Sequence, residues 1–240
     1  MDKPHINHHI SQQFNSELEA VRTRVLEMGG LVEQQLADAL AALAEGDSSL
    51  AEGVITGDYR VNALEVAIDE ECNRILARRQ PAASDLRLIV SVIKTITDLE
   101  RMGDEAERIG RTTIAVSGRE GANINRHAEI RHLGNHVREM LHNALDAFAR
   151  TDLELAARVV EEDRHVDEEY ESILRQLITF MMEDPRSIPR ALEVIWSARA
   201  LERIGDRACN ICEYVIYYVK GRDVRHTSLE QVQQAARTNR

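Results

Sequence analysis

Aromatic side chains are scarce, at 4% of 240 residues. A core must therefore come from Leu, Ile, Val, Ala and Met, and the 43% hydrophobic content supplies them. Prolines number only four (Pro4, Pro81, Pro185 and Pro189), and none interrupts a periodic apolar segment. With 30% charged residues, this is the composition of long helices rather than sheets. Basic residues are outnumbered, 30 against 41 acidic ones, for a formal net charge of −11. Nucleic-acid affinity rests on clustered Lys and Arg, so direct nucleic-acid binding is not expected. No apolar run approaches the roughly 18 residues that span a bilayer, and the richest, Tyr214 to Val219, is far too short. Membrane insertion is not expected. The opening MDKPHINHHI lacks the apolar stretch of a secretory signal. Three cysteines, an odd number without secretory context, fit free thiols in a reducing cytoplasm. Also missing are a phosphate-cradling Gly-rich loop, a Gly-x-Ser-x-Gly elbow and a Ser-His-Asp arrangement, so the chain does not read as an enzyme.

What is present is helical periodicity. Phe14, Leu18, Val21, Val25, Met28, Val32, Leu36, Ala39 and Leu43 follow at steps of three and four, one stripe along a long helix. At 1.5 Å per residue it spans roughly 50 Å and suits an elongated bundle. Gly46-Asp47-Ser48 ends this helix and caps the second. Arg79-Gln80-Pro81 ends the second, and Ser84-Asp85 opens the third. Gly118 to Asn123 reads as a polar linker. Thr151-Asp152 and Glu183-Asp184-Pro185 separate the fourth, fifth and sixth helices, and Gly221 ends the sixth. The polar residues beyond it are expected to fray.

The chain repeats itself. Shifted by 105 positions, residues 28 to 76 overlay later ones without a gap. Val32 meets Val137, Leu36 meets Leu141, Asp47 meets Asp152, and Asp58 meets Asp163. After the proline turn the offset becomes 102, and Leu99-Glu100-Arg101-Met102-Gly103-Asp104 meets Leu201-Glu202-Arg203-Ile204-Gly205-Asp206. This is a duplicated three-helix unit, and short connections make sequential helices antiparallel neighbours. The expected fold class is all-α, two tandem antiparallel three-helix bundles built from this internal repeat. Residues 1–118 form the first bundle, 119–122 a linker, 123–222 the second bundle and 223–240 a polar tail.

Glu100 and Asp104 share a helix face, as do Glu202 and Asp206. Like charges at that spacing destabilise a helix by a few tenths of a kcal/mol, and the intervening glycine costs about 1 kcal/mol more. The chain carries both costs twice. Two readings are open: a solvated acidic patch with glycine for close packing, or carboxylate ligands for a hard cation. Asp58 with Asn62, and Asp163 with Asp167, show the same spacing on the second helices. With these, each unit could offer oxygen ligands from two helices, suiting Mg, Ca, Mn or Fe better than structural zinc. Asn210 and Glu213 extend the second motif's face, whereas their counterparts Arg108 and Arg111 do not. Cys209-x-x-Cys212 and Cys72 read as small core residues. Two Glu-x-x-His spacings, Glu129 to His132 and Glu162 to His165, match a di-metal pattern, but neither His recurs in the other repeat. His5, His8 and His9 read as a solvated tail.

Several segments together resemble the PhoU family of bacterial phosphate-signalling regulators, in its proteobacterial form. They are Gln13-Phe14-Asn15, Met28-Gly29-Gly30, Gln80-Pro81 to Asp85-Leu86-Arg87, the two Glu-Arg-x-Gly-Asp motifs, Ile188-Pro189, and Tyr217-Tyr218-Val219-Lys220-Gly221. The resemblance implies two three-helix bundles side by side with pseudo-twofold symmetry, and metal held on the bundle surface by Glu100, Asp104, Glu202 and Asp206, helped by Asp58, Asn62, Asp163 and Asp167. Fe, Zn, Mn and Mg are the metals it implies, without choosing among them. It implies an adaptor that damps the phosphate-starvation response and phosphate uptake. The implied partners are the ATPase subunit of the phosphate ABC transporter and a phosphate-sensing membrane histidine kinase. A homodimer is also expected. A carboxylate-metal enzyme and a purely structural bundle are the alternatives. Asn62, where the second copy has Asp167, predicts two related but unequal sites.

Overall fold

The structure is a computed structural model describing residues 4–117 and 128–237, with side chains from residue 12 and, in the second stretch, from residue 129. The expected linker at 119–122 lies outside the described residues. Those described form eight α-helices: α1 Pro4–Glu45, α2 Ser48–Gly57, α3 Tyr59–Arg79, α4 Ala83–Ser117, α5 Ala128–Arg150, α6 Leu153–Glu183, α7 Ile188–Lys220 and α8 Leu229–Arg237. A 3-10 turn, Pro185–Ser187, joins α6 to α7. The long first stripe is buried as its spacing requires, with Val25, Met28, Leu36 and Ala39 fully enclosed. Local chemistry sets the ends. Asp47 accepts from the Ser49 and Leu50 amides at 2.9 and 3.0 Å, and its repeat mate Asp152 accepts from Glu154 and Leu155 at 3.0 Å. Each satisfies amides that a helix start leaves unpaired. Gly221, at φ +67°, closes α7 through its amide to Tyr217 O.

Two details depart from the expected outline. The second helix of the first repeat is divided at Asp58 into α2 and α3, while its counterpart α6 runs unbroken. The tail does not fray over its length, because α8 buries Val232 and Ala235 and packs on α6 and α7. Ser228 and Gln231 exchange side-chain-to-amide bonds at 3.2 and 3.4 Å, a capping box that starts this helix.

The two bundles, α1 to α4 and α5 to α7, join along paired helices. Between α4 and α7, Arg87 reaches Tyr218 O, Ser91 reaches Tyr214 O, and Glu105 meets Arg203. Partner numbers fall as α4 numbers rise, so the helices run antiparallel. Between α1 and α5, Gly29 faces Leu145 and its repeat mate Gly134 faces Leu40. A Cβ on Gly29 would lie 2.5 Å from the Leu145 side chain, whereas one on Gly30 would meet nothing within 4 Å. Gly30→Ala is therefore expected to stabilise by up to about 1 kcal/mol through helix propensity. Gly29→Ala, one residue away, is expected to cost about 1–2 kcal/mol by overpacking. Urea unfolding of both variants checks this, and equal effects would contradict the packing account.

Candidate metal centres

Helices α6 and α7 bring four carboxylates of the second repeat together. Ligand oxygens of Asp167, Glu202 and Asp206 lie within 4.8 Å of one another. Asp163 adjoins them, with Oδ1 3.9 Å from where a Cβ on Gly205 would sit. Burial first, then the charges of Asp206 and Asp167, push Asp163 up to about 6. Burial, then Asp206, pushes Glu202 up to about 7, against the pull of Arg199, to which it is ion-paired. Asp206 is raised as well, by burial and then Asp167. Asp163 Oδ1 and Glu202 Oε2 are buried without a hydrogen-bond partner among the described residues. An orphaned buried carboxylate oxygen is costly, and a cation among these oxygens would relieve that cost. The residues thus fit a hard cation on an all-oxygen donor set.

The first repeat builds a related but different group. Asp58, Asp104 and Glu107 bring oxygens within 4.8 Å of one another. Asp58, at the break between α2 and α3, is nearly enclosed, and both its oxygens are occupied. Gln35 Nε2 donates to Oδ1 and Asn62 Nδ2 donates to Oδ2, each at 2.9 Å. Asn62 thus satisfies Asp58 where Asp167 adds a charge. Gly103 permits the approach, since a Cβ there would fall 2.9 Å from Asp58 Oδ1 and 3.2 Å from Gln35 Oε1. Glu100 stands beside this group: burial, then Asp104, Glu65 and Asp58, raise it. Burial, then Asp58, Glu107 and Glu105, raise Asp104.

Glu107 was not among the residues singled out by spacing. Its signal was present, three residues beyond Asp104 on the same helix face. It escapes a repeat-based reading because its counterpart is Cys209, which is buried with its thiol toward Val159 O. Asn210 does not extend the second centre as its spacing predicts. It turns instead across the bundle interface toward Asp98 Oδ1 at 3.5 Å, where Tyr214 donates to Oδ2 at 2.9 Å. A face shared along one helix says nothing about which neighbouring helix covers it. Glu213, raised to about 7 by burial and then Asp223, is not in the close carboxylate group of Asp167, Glu202 and Asp206. Cys72, Cys209 and Cys212 are buried free thiols.

The duplication of the helical unit is also what comparison with known proteins finds. The PhoU domain model matches residues 25–113 and 130–215. The chain belongs to the PhoU family. A Pseudomonas aeruginosa relative, named as a homolog of the phosphate-specific transport system accessory protein PhoU, is 54% identical, covering 100% of this chain and 99% of that protein. The Escherichia coli K12 accessory protein PhoU is 53% identical, over 97% of this chain and 95% of its own. The crystal structure of PhoU from Pseudomonas aeruginosa superposes with a TM-score of 0.82, covering 87% of this chain and 100% of that one. That from Streptococcus pneumoniae, a phosphate transport system regulatory protein, gives 0.80 at 32% identity, over 88% and 99% of the two chains. The PhoU fold therefore holds at both levels of identity.

Proposed function

We propose that this chain is a cytoplasmic metal-binding adaptor that restrains phosphate uptake and silences the phosphate-starvation response when phosphate is plentiful. The observation that carries the metal part is the convergence of Asp167, Glu202 and Asp206, with Asp163 beside them and two buried oxygens lacking partners among the described residues. Like charges this close repel, and a bound Mn, Mg, Fe or Zn ion supplies the positive charge that joins them. The protein's own part is to hold the carboxylates on rigid helices, using Gly103 and Gly205 to let α4 and α7 approach the acids of the second helices. A fixed acidic surface then docks on partners.

The phosphate part rests on relatives named as accessory proteins of phosphate-specific transport. In this reading the partners are the transporter's ATPase subunit and the membrane histidine kinase that senses phosphate, and the adaptor acts as a homodimer. No helix among the described residues is long and apolar enough to cross a membrane; in this reading the partners bring the chain to one. Deleting the gene is expected to raise alkaline phosphatase several-fold in high phosphate, and the gene with Glu202→Gln and Asp206→Asn is expected to restore repression incompletely. An unchanged, repressed level in the deletion would sink the regulatory role. Pull-down of the ATPase subunit and the kinase separates the two branches.

A further inference from the structure

The two Glu-x-x-His spacings take no part in the acidic centres, and the structure re-sorts them. Glu129 lines a different hollow, with Phe180 and Ala191, so it does not accompany His132. His132 instead pairs with His136, four residues on and on the same face of α5. Opposite them α6 presents Glu162 and Glu169. One Glu169 oxygen lies 3.1 Å from His132 Nδ1, and the other lies 3.0 Å from His136 Nδ1. The second ring nitrogen of His136, Nε2, lies 3.2 Å from Glu162 Oε2. Asn135, Glu139, His165 and Ser172 help wall the open groove, about 610 Å³, that His132, His136 and Glu169 face.

The fold does not need this group. The repeat mates of His136 and Glu169 are Leu31 and Leu64, both partly buried against the core. An apolar pair serves at those positions in the first repeat, and the second repeat has a ring and a carboxylate there. A neutral imidazole has a single N–H and a protonated one has two. His136 meets a carboxylate at each nitrogen, so both are served by a protonated ring or by a cation on one side. A histidine held by a carboxylate at one nitrogen and a cation at the other is the usual way such a ring is oriented around a metal.

We propose that His132, His136 and Glu169 form a binding site for a borderline divalent cation of the zinc type. In it Glu162 holds His136 Nε2–H, so that Nδ1 is the ligand. Two imidazoles four residues apart on one helix face make a chelating pair for zinc. Two nitrogens and one carboxylate, open to a groove, are a donor set that zinc accepts and that Mg or Ca, which favour oxygen, do not prefer. The scaffold is stiff, because Leu133 and Val137 on α5 and Val166 on α6, beside these residues, are fully buried. The three donors are not drawn within 4.8 Å of one another as the acidic groups are; His132 is 75% exposed, so its ring can turn onto a shared ion and close the set without disturbing the core. The site stands apart from the acidic centre, which uses Asp163 and Asp167 on the α7-facing side of α6, and it does not depend on the reading proposed above.

The test is a titration of the full-length chain with Zn²⁺ alone, with His5→Ala, His8→Ala and His9→Ala present throughout to remove the other clustered histidines. Glu202→Gln, Asp206→Asn and Asp104→Asn silence the acidic centres in a parallel sample. Imidazole ¹⁵N spectra are expected to show His132 and His136 moving together in both samples, saturating at one zinc per chain in the silenced one. His136→Leu with Glu169→Leu, which installs the leucine pair of the first repeat, is expected to fold and to lose that one equivalent while keeping Mn²⁺ binding. Rings unmoved by zinc, or an unchanged zinc count in the leucine variant, would overturn the proposal. Should that variant not fold, His132→Gln decides, with zinc affinity expected to fall at least about tenfold and an unchanged affinity counting against the site.

Discussion

Raising the pH of the chelator-treated chain from 5 to 8 is expected to lower its unfolding free energy by roughly 3 kcal/mol. The cause lies in three carboxyls held above their ordinary range: Asp163 at about 6, and Glu202 and Glu213 at about 7, each chiefly by burial. Below about pH 4 these groups keep their protons in folded and unfolded chains alike, and the fold bears no cost. Between that value and their folded values the unfolded chain releases protons that the folded chain retains. Stability therefore falls as pH rises, and the fall is complete above pH 8. One such carboxyl alone corresponds to about 3 kcal/mol at full effect. Water reaching Asp163 and Glu213 screens them, and Asp163 and Glu202 share one field and titrate together, so the three do not add. Asp223, drawn to about 2 chiefly by its hydrogen bond from Arg225, works in the opposite sense. Its contribution is already complete above pH 4 and does not blunt the fall. Urea unfolding at unit steps of pH measures the profile, and a flat line would refute the electrostatic account of the site.

The helical frame was legible because its signals are local. Steps of three and four mark the stripe from Leu18 to Leu43, and Asp47 and Asp152 cap by the same chemistry at the same repeat position. The repeat made the acidic motifs legible as a pair, since Glu202 and Asp206 gain meaning from Glu100 and Asp104. What a repeat cannot reveal is where its copies diverge. Glu107 enters the first group because Cys209 occupies its place in the second. Where the first repeat has Leu31 and Leu64 the second has His136 and Glu169, and the latter pairing is not visible until α5 and α6 are laid side by side. Asn210 shows the same limit, because its partner Asp98 lies on a helix of the other bundle. The last helix, by contrast, carries local signals of its own. Ser228 with Gln231 is a capping signature, and Val232, Ala235 and Ala236 follow at helical spacing. A polar average hid three small buried residues.

The strongest discrimination between a cation site and a solvated acidic face comes from Asp206→Asn, whose effect on stability is expected to change sign with metal. In chelator at pH 8 the substitution removes one charge from a group in which Asp167, Glu202 and Asp163 already repel it. The shape is kept, and the attraction to Arg199, Arg207 and Arg203 that is lost is smaller than the burial and Asp167 repulsion that is relieved. The variant is expected to be more stable than the parent by about 1 kcal/mol. With Mn²⁺ at a hundred times its dissociation constant, the parent gains about 2.7 kcal/mol and the variant does not, so the rank order reverses. A solvated patch would respond to neither treatment, and a structural ion-pair network would be weakened by the substitution in both. Asp104→Asn at the first centre is expected to move both values less. There the Gln35 and Asn62 amides already hold Asp58, so the acids carry less unrelieved charge and a cation has less to relieve. The second centre should then fill first, and thermal unfolding of the two variants at increasing Mn²⁺ reads the order directly.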